Sequence, residues 1–414
     1  MQLKTILNRV TDYKSFVFGD GQFDEKGQIV IAVEHRKNGR PVCSGCGKKR
    51  PGYDQLPDRT WQFVPLWQMA VLLVYSPRRV QCPECGVKVE QVPWGDGKHA
   101  TTIEYRWFLA TWARRLSWQE VANVFGTSWD TVYRCIDYTV RWGLVHRVIS
   151  GVKAIGVDEI QVHRGHKYVT LVYEISGECR RLLWIGRERR EETLQKFFDL
   201  LGDQIVPALQ FVCSDMWKAY INVIRQRAGD AVHVLDRYHV MSMMNKAIDK
   251  VRASEARQME QDGYEPLLKK SRWCLLKRKG NLTSTQTVKL NELLKYNLNA
   301  VRAYLLKEDF QRFWEYSSPG WARRFLKEWC TRTMRSKLEP MKKVAKTIRN
   351  HEELLVNWFL ADGKISAGIV EGFNNKAKLT MRKSYGFRTH DALEIALYHG
   401  LGALPELEHT HRFC

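Results

Sequence analysis

No stretch of this sequence approaches the roughly 20 apolar residues that a membrane-spanning helix requires. Its first residues, MQLKTILNRVTDYKSF, lack the apolar centre of a secretory signal. No internal repeat or low-complexity segment is present, and 44% hydrophobic residues exclude a chain disordered throughout. A soluble, cytoplasmic protein without a membrane partner is expected. Acidic residues are the scarce charge: 45 Asp and Glu face 66 Lys and Arg, a formal net charge of +21 over 414 residues. That length suggests about two or three domains. Residues 240–350 hold 25 Lys and Arg against 11 Asp and Glu, two thirds of the net charge. Such an excess suits a nucleic acid, which gains affinity by releasing counterions; a solubilising surface is the alternative.

A disulfide framework is not expected either. Four of the ten cysteines form two Cys-x-x-Cys pairs, Cys43/Cys46 and Cys82/Cys85, and the other six follow no spacing. VCSGCGKK and QCPECGVK each set two thiolates on a tight turn, where Gly47 or Gly86 supplies permissive backbone angles. The 35 residues between the pairs fit a β-ribbon or loop insertion. Four sulfurs at tetrahedral reach predict one structural Zn²⁺, closed to catalysis because every position is a protein ligand. A redox pair is the alternative. The module could offer Lys48, Lys49, Arg50, Arg78 and Arg79 to DNA.

The string LSWQEVANVFGTSWDTVYRCIDYTV reads as a helix-turn-helix. Ser117 and Glu120 make a capping box. Val121, Val124 and Phe125 supply the first apolar face, Gly126 ends that helix, and Ser128 caps a second with Val132 and Ile136 on its buried side. Trp129, Asp130, Thr131 and Arg134 are the residues expected to meet DNA. An ordinary helical hairpin is the plainer alternative. A β-run is expected at 28–34, with two further apolar stretches at 69–75 and 79–81; beyond the helix-turn-helix, β-runs are expected at 154–162, 168–175, 181–186, 209–214 and 231–235. Helices are expected at 191–201 and 218–228, and nearly continuously from 240 to 350.

Three acids stand where acids are least expected. Asp158 interrupts the apolar strand AIGVDEIQV, with Glu159 on the opposite face by the period-two rule. Asp215 ends LQFVCSD, and Glu371 lies on the apolar side of the helical stretch SAGIVEGFNNKAKLTMRK. A lone buried carboxylate is costly, whereas three converging on Mg²⁺ are satisfied by hard-cation ligation. Two such ions about 3.5–4 Å apart can activate an attacking oxygen and stabilise the leaving one at a phosphodiester. Singly, each acid could be a strand-end cap. The order strand with Asp, two strands, helix, strand with Asp, helix, strand, and a later helix with Glu is that of a ribonuclease-H-like fold.

The strings GVDEIQVHRGHKYVTLVYE, VCSDMWKAYINVI, VLDRYHVMSMMNKAID and AGIVEGFNNKAKLTMRKSYGFR resemble bacterial insertion-sequence transposases of the DDE superfamily, in particular the ISL3 family. The resemblance covers nearly the whole chain. It implies that Asp158, Asp215 and Glu371 are the catalytic triad and hold two Mg²⁺ (or Mn²⁺) ions. It implies supporting roles for Asp236 and His239, in an Asp-x-x-His element, and for Lys378, which could reach DNA phosphate. Asp236 could equally cap a helix beginning at Arg237, and His239 could be a packed polar residue. The family also carries a helical insertion between its second Asp and its Glu, here 155 residues. Within it, Lys269, Lys270, Arg272, Lys277, Arg278 and Lys279, and the stretch RRFLKEWCTRTMR, mix cations with Trp273 and Trp329. Cations would track phosphates and an aromatic could stack on an unpaired base; Trp217, beside Asp215, is the preferred aromatic.

The expected architecture is α/β: a zinc-ribbon-like module (1–100), a helix-turn-helix (101–150), a ribonuclease-H-like core (151–240 and 355–405) and a helical insertion (241–354). The expected function is a nucleoid-associated bacterial DNA transposase, a homodimer or larger, that binds double-stranded transposon ends and target and performs Mg-dependent cleavage and strand transfer. A catalytically inactive DNA-binding regulator and a stand-alone nuclease of the same fold are the alternatives.

Overall fold

The computed structural model describes residues 2–11, 13–163, 167–177, 180–265, 267–361, 367–384 and 386–407. The chain forms two compact units: Met1–Arg147 with Asp391–Gly400 and Leu404–Cys414, and Val148–His390 with Leu401–Ala403.

The first unit begins with α1 (Leu3–Val10), followed by β1 (Phe16–Phe23), β2 (Ile29–His35), β3 (Gly52–Gln55), β4 (Arg59–Leu66), β5 (Met69–Tyr75), β6 (Arg78–Cys82) and β7 (Gly86–Val89). These build two sheets, β1-β2-β5-β4 and β3-β6-β7. Alternate residues of the larger sheet, among them Phe16, Phe18, Ile31, Val33, Trp61 and Leu73, close a core with Trp94. Sequence reading finds β2, and the two apolar stretches fall on β5 and β6; β1 is not found, because a bulge at Phe18/Gly21 breaks the alternation. The smaller sheet has a minimal core of Cys43, Val80 and Cys82, too little apolar area to hold it alone.

Three helices follow: α2 (Ile103–Ala113), α3 (Trp118–Val124) and α4 (Trp129–His146). The expected capping box of Ser117 and Glu120 is formed, and Ser128 caps α4 by accepting from the Thr131 amide. Gly126 takes φ +61°, a conformation that favours glycine. Val121, Val132 and Ile136 are buried as expected, but Val124 is 62% exposed. Ala122 takes the inner position, because 100° per residue carries Val124 to the far side of the stripe set by Val121, Ala122 and Phe125.

In the second unit β8 (Ala154–His163), β9 (Lys167–Glu174), β10 (Arg181–Arg187), β11 (Phe211–Ser214) and β12 (Val232–Leu235) form one sheet in the order β10-β9-β8-β11-β12. The β10-β9-β8 pairs are antiparallel and the β8-β11-β12 pairs parallel. Helices α5 (Glu191–Ile205) and α6 (Lys218–Arg227) cover one face, packing Phe197, Phe198 and Tyr220 against Ile155, Val157 and Val212. The helical segment comprises α7 (Arg237–Gln261), α8 (Arg272–Leu276), α9 (Ser284–Leu293), α10 (Asn299–Gln311), α11 (Pro319–Met334), α12 (Glu339–Asn350) and α13 (Glu352–Leu360). It has its own core, in which Trp329 is fully buried and donates from Nε1 to the Leu306 carbonyl, so this Trp is not a DNA-facing aromatic. Helix α14 (Ala367–Lys383) lies on the sheet face opposite α5 and α6, with Val370 against Gly156. Helix α15 (His390–Leu401) is the last element among the described residues. Of the expected core range 355–405, Asp391–Gly400 groups with the first unit.

Candidate active site

Strand register aligns the acids. In the parallel half of the second unit's sheet Cys213 pairs with Gly156 and Ser214 with Leu235. Continuing the register brings Asp215 level with Asp158 on one side and Asp236 on the other. Asp215 and Asp236 thus follow the carboxyl ends of β11 and β12, where open α/β sheets bind ligands, level with Asp158 midway along β8. All three are buried. Pleat alternation points Asp158, like Gly156, toward α14.

Each carboxylate is held by named donors. Asp158 Oδ1 accepts from the Glu159 amide at 2.8 Å, and Oδ2 accepts from Asn374 Nδ2 of α14. Asn374 is itself fixed by the Tyr173 hydroxyl, which donates to its Oδ1 at 2.9 Å. Asp215 accepts from the Trp217 amide at 3.0 Å and from Arg189 at 3.1 Å. Asp236 caps α7, accepting from the Tyr238 amide at 2.8 Å. The cap reading of Asp236 is met, and the same carboxylate lies near Asp158 and His239. His239, one turn into α7, reaches Asp158 Oδ2 at 3.6 Å and Asp236 Oδ2 at 3.9 Å. Glu371 is half-buried on α14, one turn before Asn374, and close enough to Asp236 to disfavour its ionisation. Lys378, two turns further, is exposed.

The opposite face holds a residue that sequence reading left without a role. Glu159 is buried and pairs with Arg189 at 2.9 Å, and the same guanidinium bridges to Asp215. Trp217, the expected base-stacking aromatic, has Arg189 4.4 Å from its ring centroid and Tyr220 edge-on at 4.6 Å. Its ring backs the arginine; that is its observed contact.

Burial and repulsion leave Glu159, Asp215 and Asp236 reluctant to ionise. Burial pushes Glu159 up to about 7, with Asp215 adding repulsion and Arg189 opposing. Burial pushes Asp236 up to about 6; His239 opposes, and Asp158 and Glu371 reinforce. Asp215 is likewise raised, chiefly by burial. His239 is pulled down by burial, but hydrogen bonding and attraction to Asp158, then Asp236, carry it up to about 9. Hard oxygen donors crowded in this way fit a divalent cation, which would relieve the repulsion. Their oxygens are not drawn to single-ion spacing: among the described residues, the four zinc-type cysteines are the group of metal-capable side chains whose ligand atoms all lie within 4.8 Å of one another.

Those cysteines, Cys43, Cys46, Cys82 and Cys85, come from two turns beside β6 and β7. Cys46 and Cys82 sulfurs are 3.6 Å apart, and a Cβ at Gly45 would meet Cys85 Sγ at 3.0 Å, so the cradle closes around sulfur. Desolvation opposes ionisation of Cys82, but amides of Glu84 and Cys85 and neighbouring thiols bring it down to about 6. The donor set fits a structural Zn²⁺.

A family model described as transposase, of the ISL3 group, matches residues 155–397, more than half of the chain. The chain belongs to the ISL3 transposase family. A second family model, described as the zinc-finger of transposase IS204/IS1001/IS1096/IS1165, matches residues 39–85. The chain is 29% identical over 355 residues to the transposase for insertion sequence element IS1001 of Bordetella parapertussis, covering 84% of this chain and 86% of that one. It is 27% identical over 430 residues to the transposase for insertion sequence element IS1557 of Mycobacterium tuberculosis (strain CDC 1551 / Oshkosh), covering 96% and 95%.

Other expected DNA contacts of this ISL3 transposase are partly engaged internally. Asp130 pairs with Arg134 at 2.9 Å, Thr131 bonds Ser128, and Trp129 stacks on Tyr133 at the exposed start of α4. Arg78 is locked to buried Glu90, Arg79 pairs with Asp54, and Lys48 and Arg50 share Glu84. Lys269, Lys270, Arg272, Arg278 and Lys279 are exposed, while Lys277 is half-buried and bonded to Gln286. Asn374, Tyr173, Arg189 and Glu159 are the site residues that sequence reading missed. Of these only Glu159 carried a signal, an acid inside an apolar strand. Among the described residues no helix is long and apolar enough to cross a membrane.

Proposed function

We propose that the chain is a DNA transposase that cuts and joins phosphodiesters with a ribonuclease-H-like core. The observation that carries this is the shared register of Asp158, Asp215 and Asp236, with His239 and α14 closing over them. Asp158, Asp215 and Glu371 would hold two Mg²⁺ (or Mn²⁺) ions, which when bound lower the barrier to attack and leaving at phosphorus. Asn374 and the Glu159 amide fix the orientation of Asp158, and Arg189 fixes that of Asp215. His239 places a cationic imidazole against Asp158 and Asp236, limiting the net negative charge that DNA phosphate must approach.

Water attacks phosphorus at the element's end, the bond to the 3′ oxygen breaks, and a 3′-hydroxyl is freed. That hydroxyl then attacks a target phosphodiester in line, joining the strands without a covalent protein intermediate. The zinc ribbon and the α3–α4 helix-turn-helix bind the terminal repeats in this scheme. Holding two ends at once requires at least a dimer.

Purified protein incubated with labelled terminal repeats, Mg²⁺ and a target plasmid separates the readings. Joined product supports the transposase. Cleavage without joining points to a nuclease, and binding alone to a regulator.

A further inference from the structure

Two cavities flank the exposed side of α7. One, of about 540 Å³, lies between α7 and α12 and reaches Asp215; the other, of about 410 Å³, lies between α7 and α8. Ser242, Lys246 and Lys250 line both, which makes them one groove. Their spacing of four sets them in a stripe along the helix. At 1.5 Å per residue, the 11 residues from His239 to Lys250 span about 16 Å. Lys246 and Lys250 are exposed and form no ion pair among the described residues. At the far end stands Trp273, 54% exposed, with the Arg272 guanidinium 5.2 Å from its ring centroid. Asn245 in the same wall has a buried Oδ1 without a hydrogen-bond partner.

Resting on the transposase reading, we infer that this groove holds a single unpaired DNA strand leading away from the cleavage centre, with its backbone on Lys246 and Lys250 and a base on Trp273. The interior of a duplex keeps its base faces stacked and has none to offer an aromatic on a cleft wall. An unpaired strand exposes every face, and a groove that joins cations to an aromatic suits a single strand. An unpaired base also brings N–H groups that Asn245 Oδ1 can accept.

The test uses the full-length zinc-loaded chain and a fluorescein-labelled DNA hairpin, either blunt or bearing an oligothymidine tail, read by anisotropy across a salt series. The tail is expected to tighten binding. Trp273→Ala should erase roughly tenfold of that gain, with Trp273→Phe restoring most of it. Replacing both Lys246 and Lys250 by Ala should lower the salt slope for the tailed hairpin by roughly 1.4, at about 0.7 per phosphate contact, and leave the blunt hairpin unchanged. No gain from the tail, or equal losses on both hairpins, would overturn the assignment. Terminal-repeat cleavage by a protein indifferent to tails removes the groove and spares the transposase reading. Tail binding that depends on Trp273, without cleavage of any end, spares the groove and removes that reading.

Discussion

Gly156 controls how closely α14 approaches the catalytic strand. A Cβ there would lie 2.5 Å from Val370 Cγ2 and 3.3 Å from Ile175 Cγ2. Carbon atoms rest at about 3.5–4.0 Å, so Gly156→Ala demands a displacement of roughly 1 Å. Val370 is 2% exposed, and a β-branched side chain in a helix has little rotamer freedom, so the helix must move instead. Glu371 is the next residue and Asn374 lies one turn beyond it. Overpacking of this kind costs about 1–3 kcal/mol of stability. A misplacement near 1 Å costs on the order of 100-fold in rate, so cleavage should fall far more than stability. Single-turnover cleavage of a labelled terminal repeat and thermal melting measure the two effects. Val370→Ala in the same chain removes the clashing methyls and should restore most of the rate. Wild-type cleavage by Gly156→Ala, or no rescue by Val370→Ala, would refute the coupling of α14 packing to catalysis.

Asn374→Ala strips a partner from the buried Tyr173 hydroxyl and from Asp158, and should cost about 2–4 kcal/mol in urea unfolding; a loss below about 0.5 kcal/mol would show that the bridge is not made. Zinc chelation should expose the β6–β7 amides to hydrogen exchange, since that sheet has almost no apolar core. The near-ultraviolet dichroism of Trp61 and Trp94, buried in a separate cluster, should survive it; slow exchange throughout 78–89 after chelation would count against a structural metal. Burial, then repulsion from Arg114, holds His399 down at about 3, below its ordinary 6.5, and its Nε2 is buried without a partner. A depressed folded value means stability complete above 6.5 and lost as pH falls toward 3. His399 should therefore withdraw roughly 2 kcal/mol between about pH 7.5 and 5. His399→Leu should flatten that part of the urea-stability profile, and an unaltered slope would contradict the assignment.

The second unit was legible because its strands are short apolar runs that differ from their surroundings, and because acids inside such runs are costly enough to be conspicuous. Asp158 and Asp215 announce themselves in this way. Asn374 and Arg189 do not: an Asn on a helix and an Arg in a turn are ordinary until the fold carries them across 216 and 26 residues to their aspartates. The contact of Trp217 with Arg189 was hidden for the same reason, since that arginine lies in another element. In the N-terminal four-stranded sheet β1 was hidden, because it is bulged and its polar GDG centre reads as loop. The break between α14 and the Asp391–Gly400 segment depends on packing that no local pattern encodes.

Manganese binding is the most direct test of whether Asp158, Asp215 and Glu371 serve one cation centre. Mn²⁺ titrated into the zinc-loaded protein with end DNA, followed by electron paramagnetic resonance, should show bound ion in the wild type. Asp158→Asn, Asp215→Asn and Glu371→Gln should each abolish that signal while DNA binding persists. Undiminished manganese binding in all three variants would contradict the account.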